Sequence, residues 1–144
     1  MHGVIAVTDH GWYEHLAAQP NVDEVNFWRP SGRAFKALPV GGLFFFKLKA
    51  KHGHAIVGFG RFARFAQLPW WLAWSSFGGG NGVATEAEFH QRLAAIRARN
   101  RIADTGDMRI GCIMICEPFF FPRDMWVQGP TDWKPRTVSF EKYD

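Results

Sequence analysis

Apolar and polar positions change period several times along this chain of 144 residues, and each change marks an element. Val4-Ile5-Ala6-Val7 is a short β-branched run closed by Thr8-Asp9, the pattern of a strand whose end caps a short helix through Trp12, Tyr13, His15 and Leu16. Pro20-Asn21 ends that helix. A second strand is expected over 24–28. It stops at Arg29-Pro30-Ser31-Gly32, because proline lacks the amide donor a central ladder needs and glycine tolerates turn dihedrals. Val40-Gly41-Gly42 turns the chain into 43–49, where a period of two sets Phe44, Phe46 and Leu48 on one face and Phe45, Lys47 and Lys49 on the other. The first face reads as core and the second as a surface presenting ammonium groups.

A turn at Lys51-His52-Gly53-His54 leads into a long strand over 55–65, whose Gly58 and Gly60 suggest a bend or bulge. Leu68-Pro69 opens a short helix through Trp70, Trp71, Leu72, Trp74 and Phe77, ended by the glycine-rich 78–82. Thr85 and Glu88 form a capping box, and Phe89, Leu93 and Ile96 give an amphipathic helix with Arg92, Arg97, Arg99 and Arg101 toward the negative end of its dipole. A buried strand over 109–117, an aromatic corner over 118–122 and a last strand over 137–140 complete the reading. With no internal repeat or linker, 1–144 is expected to be one α+β domain: a small curved antiparallel sheet or β-barrel flanked by helices.

Composition excludes disorder, with 47% hydrophobic and 21% charged residues. The unusual part is 16% aromatic content, carried by 14 Phe and 7 Trp against 2 Tyr. The net charge of +4 hides a sharper asymmetry. Between Val25 and Thr85 there is no Asp or Glu, while Arg29, Arg33, Lys36, Lys47, Lys49, Lys51, Arg61 and Arg64 all fall there. Such a segment is either a solvated basic face or a polyanion-binding surface, and the interleaved aromatics favour the second. The N-terminus lacks the basic and long apolar regions of a secretory signal, and no apolar run reaches the roughly 18–20 residues of a membrane helix, so a cytoplasmic protein without a membrane partner is expected. Cys112 and Cys116, four apart on one strand face, would sit about 13 Å apart at roughly 3.3 Å per residue, too far for a disulfide, and read as buried free thiols.

Catalytic motifs are absent: there is no GxSxG, Walker loop, GxGxxG or HExxH. His52 and His54 could face one side of an extended chain, but no Cys, Asp or Glu follows within thirty residues. Asp104, Asp107 and Asp124 read as turn residues. No catalytic residue, metal or cofactor is therefore expected. What does assemble is a binding site. Trp28-Arg29-Pro30-Ser31-Gly32-Arg33 sets a large ring at a strand end beside two guanidiniums and a hydroxyl, the groups that stack a planar moiety and grip an adjacent phosphate. Trp70 and Trp74, at i and i+4, mark a helical face that is either core or pocket wall. Asn81 in its glycine loop is either a left-handed helix cap or a reader of a base edge.

Several of these stretches are familiar as a set. Val25-Asn26-Phe27-Trp28-Arg29-Pro30-Ser31, 42–49, Ile56-Val57-Gly58-Phe59-Gly60, Leu68-Pro69 through Trp74, Phe77-Gly78 with Asn81-Gly82, and Ile110-Gly111-Cys112 with Glu117-Pro118-Phe119-Phe120-Phe121 together resemble the N-terminal domain found ahead of HNH nuclease modules in modification-dependent restriction endonucleases. That domain resembles the EVE group of the PUA-like superfamily, relatives of YTH and ASCH domains, and the similarity runs over nearly the whole chain. It implies a small twisted β-barrel that reads modified DNA, such as 5-methylcytosine or 5-hydroxymethylcytosine, by flipping one base into an aromatic pocket. By position it implies Trp28, Trp74 and Phe77 as pocket aromatics, Ser31 and Asn81 as edge readers, and Arg29, Arg33, Lys47, Lys49, Lys51, Arg61 and Arg64 on the DNA backbone. The sequence ends at Tyr143-Asp144, about where a C-terminal HNH module would begin, and lacks a His-Asn-His finger, so no hydrolysis is expected of it. Alternatives are an RNA-binding PUA-like module, a reader of phosphorothioate DNA, or a metal-dependent nuclease using His52, His54 and an acid.

Overall fold

The computed structural model describes residues 3–101 and 108–133 and the backbone of 140–143. Six strands form one sheet: β1 (Gly3–Val7), β2 (Glu24–Arg29), β3 (Leu43–Lys47), β4 (Ile56–Pro69), β5 (Arg109–Phe120) and β6 (Phe140–Tyr143). Three helices are added by α1 (His10–Ala17), α2 (Trp70–Phe77) and α3 (Glu86–Arg99), with short 3-10 turns at Ala50–His52, Gly78–Asn81 and Arg123–Met125. The strand order is β2-β5-β4-β3-β1-β6. Strands β2 and β6 are its two edges and do not pair, so the sheet is open, which corrects the expectation of a barrel. It is also mixed, because β1 runs parallel to β3, with Ile5 opposite Phe45. That pairing follows from the chain leaving β1 through α1 and β2 before returning, a crossover that no local period encodes.

Curvature comes from the places the glycines marked. The ladder shifts register between Phe59 and Arg61 and again between Phe62 and Arg64. A Cβ on Gly58 would lie 2.5 Å from the Phe119 carbonyl oxygen, so only glycine lets β4 and β5 approach there. The fourteen-residue β4 therefore bends and continues to Pro69, beyond the 55–65 expected. Strand β3 ends at Lys47 and β5 runs on to Phe120, and Phe140 opens β6. Residues 137–139 of the expected last strand, and Asp104 and Asp107, lie outside the described residues.

Strand β5 separates two buried clusters by its alternation. Ile113 and Ile115 face a core built on Phe44, Phe46 and Leu48 of the β3 region and on Trp12, Tyr13 and Leu16 of α1. Ile110 and Cys112 face the other side, where α2 and α3 contribute Ala73, Phe89 and Leu93, with Trp28, Trp70 and Trp74 packed against them. Each buried phenylalanine or leucine contributes roughly 1.5–3 kcal/mol. Thr85 caps α3 as expected, its Oγ1 accepting from the Glu88 amide at 3.1 Å. Not every phenylalanine is core. Phe45 opposes Phe59, Phe59 opposes Phe119, and Phe119 is 51% exposed, so an aromatic row crosses the outer face of the sheet.

Lys47 departs from the period-two reading. It shares the outer face with Phe45, yet it is 1% exposed. Its Nζ donates to the Leu48 carbonyl at 3.2 Å, lies 2.9 Å from His54 Nδ1 and sits 4.5 Å from the Trp133 ring centre. Burial lowers the pKa of its ammonium.

Buried amides join the elements. Asn26 Nδ2 donates to Asn81 Oδ1 at 2.9 Å, and Asn81 Nδ2 donates to the carbonyls of Ala73 at 3.1 Å and Gly78 at 2.9 Å. Asn81→Ala leaves those groups without partners in a fully buried site, and the expected loss is about 2–4 kcal/mol of unfolding free energy, measured by denaturant titration. Cys112 is fully buried and Cys116 half-buried, both as free thiols. Burial pushes the Cys112 thiol up to about 11, against a weaker opposing hydrogen bond from Asn26. In alkylation at mildly alkaline pH, Cys112 is expected to react only after denaturation; labelling of the native protein at Cys112 contradicts its burial.

Candidate nucleic-acid interface

Strand β2 ends at Arg29 because Pro30 follows, and the Pro30-to-Arg33 loop is held from several sides. Arg97 Nη1 donates to the Pro30 carbonyl at 2.7 Å, and the Gly111 amide donates to the Ser31 carbonyl at 3.1 Å. Gln67 Nε2 donates to the Gly32 carbonyl, and Arg29 Nη2 donates to the Arg33 carbonyl at 2.6 Å. Trp28 is fixed separately. Its indole N–H donates to the Asn81 carbonyl at 2.9 Å, and its ring meets Phe89 edge-on at 5.2 Å between centres. The ring is thus clamped at one edge while remaining half-buried.

A cavity of about 510 Å³ opens where the ends of β1 and β2 meet α3. Trp28, Pro30 and Ser31 line it with the cations Arg29, Arg33, Lys49, Arg92 and Arg99; Val7, Trp12, Phe27 and Ile96 add apolar surface. The volume lies within the roughly 300–1,000 Å³ of small-molecule sites. One carboxylate lines it, Asp9, and that group is already engaged: it accepts from the Trp12 amide at 3.0 Å as the cap of α1 and pairs with Arg92 at 2.9 Å. Arg29 is the most constrained cation. Burial, and secondarily the charge of Arg33, lowers its pKa, and its buried Nε has no hydrogen-bond partner. Two guanidiniums side by side without a free carboxylate make an anion favourable there.

The cavity gathers part of the expected site. Trp28, Ser31, Arg29, Arg33 and Lys49 line it; Trp74, Phe77 and Asn81 do not. Trp74 packs 6.2 Å from Phe89 in the α2–α3 cluster. Asn81 is fully buried with its amide bonded to Asn26, Ala73 and Gly78; the positive-φ cap expected of it falls instead on Gly78, at the end of α2, and on Gly82. Among the expected backbone contacts, Lys47 is buried and unavailable to phosphate, Arg61 is exposed on β4 with Nη1 on the Gly41 carbonyl at 3.0 Å, Arg64 is exposed on the same strand, and Lys51 lines a different cavity. Arg92, Ile96 and Arg99 were missed as lining residues, although their i, i+4, i+7 spacing is the signal of one helical face. His52 stacks on His10 at 3.9 Å and His54 faces Lys47, so the two do not converge. Among the described residues no group of three His, Cys, Asp or Glu is placed to hold a metal, and no helix is long and apolar enough to cross a membrane.

No protein-family model matches the sequence, and no curated protein matches it. Solved structures do. The ASCH protein of Zymomonas mobilis superposes with a TM-score of 0.51 at 10% identity, over 85% of this chain and 74% of that one. A tyrosine-to-phenylalanine mutant of the same protein gives 0.52 at 10% identity, over 85% and 76%. A serine-to-alanine mutant gives 0.53 at 9% identity, over 81% and 72%. What this likeness carries is the fold: an open, helix-flanked sheet like that of the ASCH structures.

Proposed function

We propose that this chain binds nucleic acid and accepts one extruded nucleobase in the cavity beside Trp28. The observation that carries the reading is the pairing, in one cavity, of a fixed half-buried indole with five cations and a single, already paired carboxylate. Extruding a base costs a few kcal/mol, and stacking returns about 1–3 kcal/mol per base, the balance coming from phosphate contacts. Trp28 is the stacking wall and Ser31 the hydroxyl beside the base edge. Arg29, Arg33, Lys49, Arg92 and Arg99 hold the flanking phosphates. Asn81 holds the indole N–H and Trp74 backs it through Phe89, so these two support the wall from behind rather than touching the base.

In its finer form the reading follows the sequence resemblance. The base is a modified cytosine in duplex DNA, 5-methylcytosine or 5-hydroxymethylcytosine, and the domain supplies specificity to a modification-dependent restriction endonuclease carrying an HNH module. The ASCH-like fold supports binding to RNA as well as DNA. Bandshifts with plain, methylated, hydroxymethylated and phosphorothioate duplexes, with single-stranded RNA as competitor, are expected to show preference for a modified-cytosine duplex. Equal affinity for all duplexes contradicts modified-base reading, and stronger competition by RNA assigns the site to RNA.

Trp28→Ala is expected to erase discrimination between modified and plain duplex while leaving salt-dependent background binding. Trp28→Phe, which keeps a stacking ring, retains part of it and guards against a folding defect. The salt slope, close to −0.9 per neutralised phosphate, should flatten by about one contact in Arg33→Ala and in Lys49→Ala. Lys47→Met should leave both slope and affinity unchanged; a flattened slope there places Lys47 at the phosphates.

A further inference from the structure

A second cavity, of about 450 Å³, lies between the start of α1 and the 3-10 turns Ala50–His52 and Arg123–Met125, and no residue lines both it and the Trp28 cavity. Its lining contains no Asp or Glu and brings together His10, Lys51, His52, Arg123 and Gln128. The rings of His10 and His52 stack face to face, 3.9 Å between centres and 8° from parallel. The Arg123 guanidinium lies 4.6 Å from the centre of the Trp126 ring, which also lines the cavity. This cluster shares no residue with the Trp28 site, and among the described residues no third His, Cys, Asp or Glu joins its histidines as a metal group.

We propose that this cavity is a phosphate-binding site, independent of the nucleobase reading, in which Lys51 and Arg123 supply constant positive charge and His52, stacked on His10, supplies charge that depends on pH. The chemistry suits an oxyanion. A planar guanidinium, an ammonium and the Gln128 amide line the one cavity, and His52 can add a proton once an anion is present to offset it. Without an anion, a second charged ring 3.9 Å from the first is opposed.

Every neighbouring group bears on that proton. His52 is held below its ordinary pKa first by desolvation and then by His10, Lys51 and Arg123, while Glu14 acts in the opposite sense. Glu14 Oε1 lies 3.4 Å from His10 Nδ1, one helical turn along α1. Asp9, beside His10, is committed to the Trp12 amide and to Arg92. Asp124, beside Arg123, is exposed and does not line the cavity. A bound anion stabilises the protonated imidazole, so binding takes up a proton and tightens as pH falls through the imidazole range.

The test is an NMR titration of the histidine ring nitrogens with inorganic phosphate, and with sulfate, whose charge stays constant over the range. Sulfate is expected to bind about tenfold more tightly near pH 5.5 than near pH 7.5, on either side of the ordinary imidazole value of roughly 6.5, with the His52 signals moving as it binds. Lys51→Ala and Arg123→Ala should each weaken binding severalfold, His52→Gln should abolish its pH dependence, and Trp28→Ala should leave it unchanged. Loss of modified-base discrimination in Trp28→Ala is thereby separated from failure of this site. Anion-induced shifts that bypass His10 and His52, or equal affinity in wild type and both cation variants, overturn the proposal. A 5′-phosphorylated oligonucleotide compared with its 5′-hydroxyl form identifies the source: preference for the phosphorylated strand assigns the site to strand ends, and equal binding assigns it to free phosphate compounds.

Discussion

The hydrogen bond between the buried side chains of Asn26 and Asn81 ties together the parts on which the candidate site depends. Asn26 lies on β2, and its carbonyl accepts from the Trp12 indole of α1 at 3.1 Å. Asn81 closes α2 through Ala73 and Gly78, and its own carbonyl fixes the Trp28 indole. One amide pair therefore sets α1, α2 and β2 relative to one another. Both residues are fully buried, so neither can exchange this bond for one to water, and that is why the arrangement is specific as well as stable. The orientation of the Trp28 ring is a consequence of this pair.

Electrostatics supply the second constraint. The acid-free segment does not form one basic face. Folding divides its cations among the Trp28 cavity, the histidine cavity, the β4 surface and the interior, where Lys47 lies beneath Trp133. Helix α3 then brings Arg92 and Arg99 from a different part of the chain to complete the first of these groups. The result is two separate concentrations of positive charge around concave surfaces, each poor in free carboxylate. Such surfaces recognise phosphate-bearing ligands more readily than flat basic patches do, because the cavity limits screening of the charge by solvent.

Much of this was legible from local pattern. Local pattern located strands β1 to β5 and the three helices, the bend at Gly58 and Gly60, the Thr85 cap, and the grouping of Trp28 and Ser31 with Arg29 and Arg33. What was not legible depends on remote residues. Alternation put Lys47 on the outer face correctly, but its burial comes from Trp133, eighty-six positions away. The parallel β1–β3 pairing and the open edges are properties of chain routing, so the barrel expectation failed although the strands were right. Asn81 looked equally like a left-handed cap or a reader, and its burial and four hydrogen bonds to remote groups, with Gly78 taking the cap position, could not be read from the local sequence. Phe45 was expected on the outer face, but that Phe59 and Phe119 line up with it there depends on pairing between distant strands.

The central claim is that a nucleobase enters the Trp28 cavity, and photocrosslinking tests it most directly. A duplex carrying a 5-iodocytosine in place of the modified base, irradiated in complex with the protein and followed by peptide mass spectrometry, should place the adduct on Trp28. Adducts confined to the outer aromatic row at Phe45, Phe59 and Phe119, or to Trp71 on the surface of α2, would contradict the account.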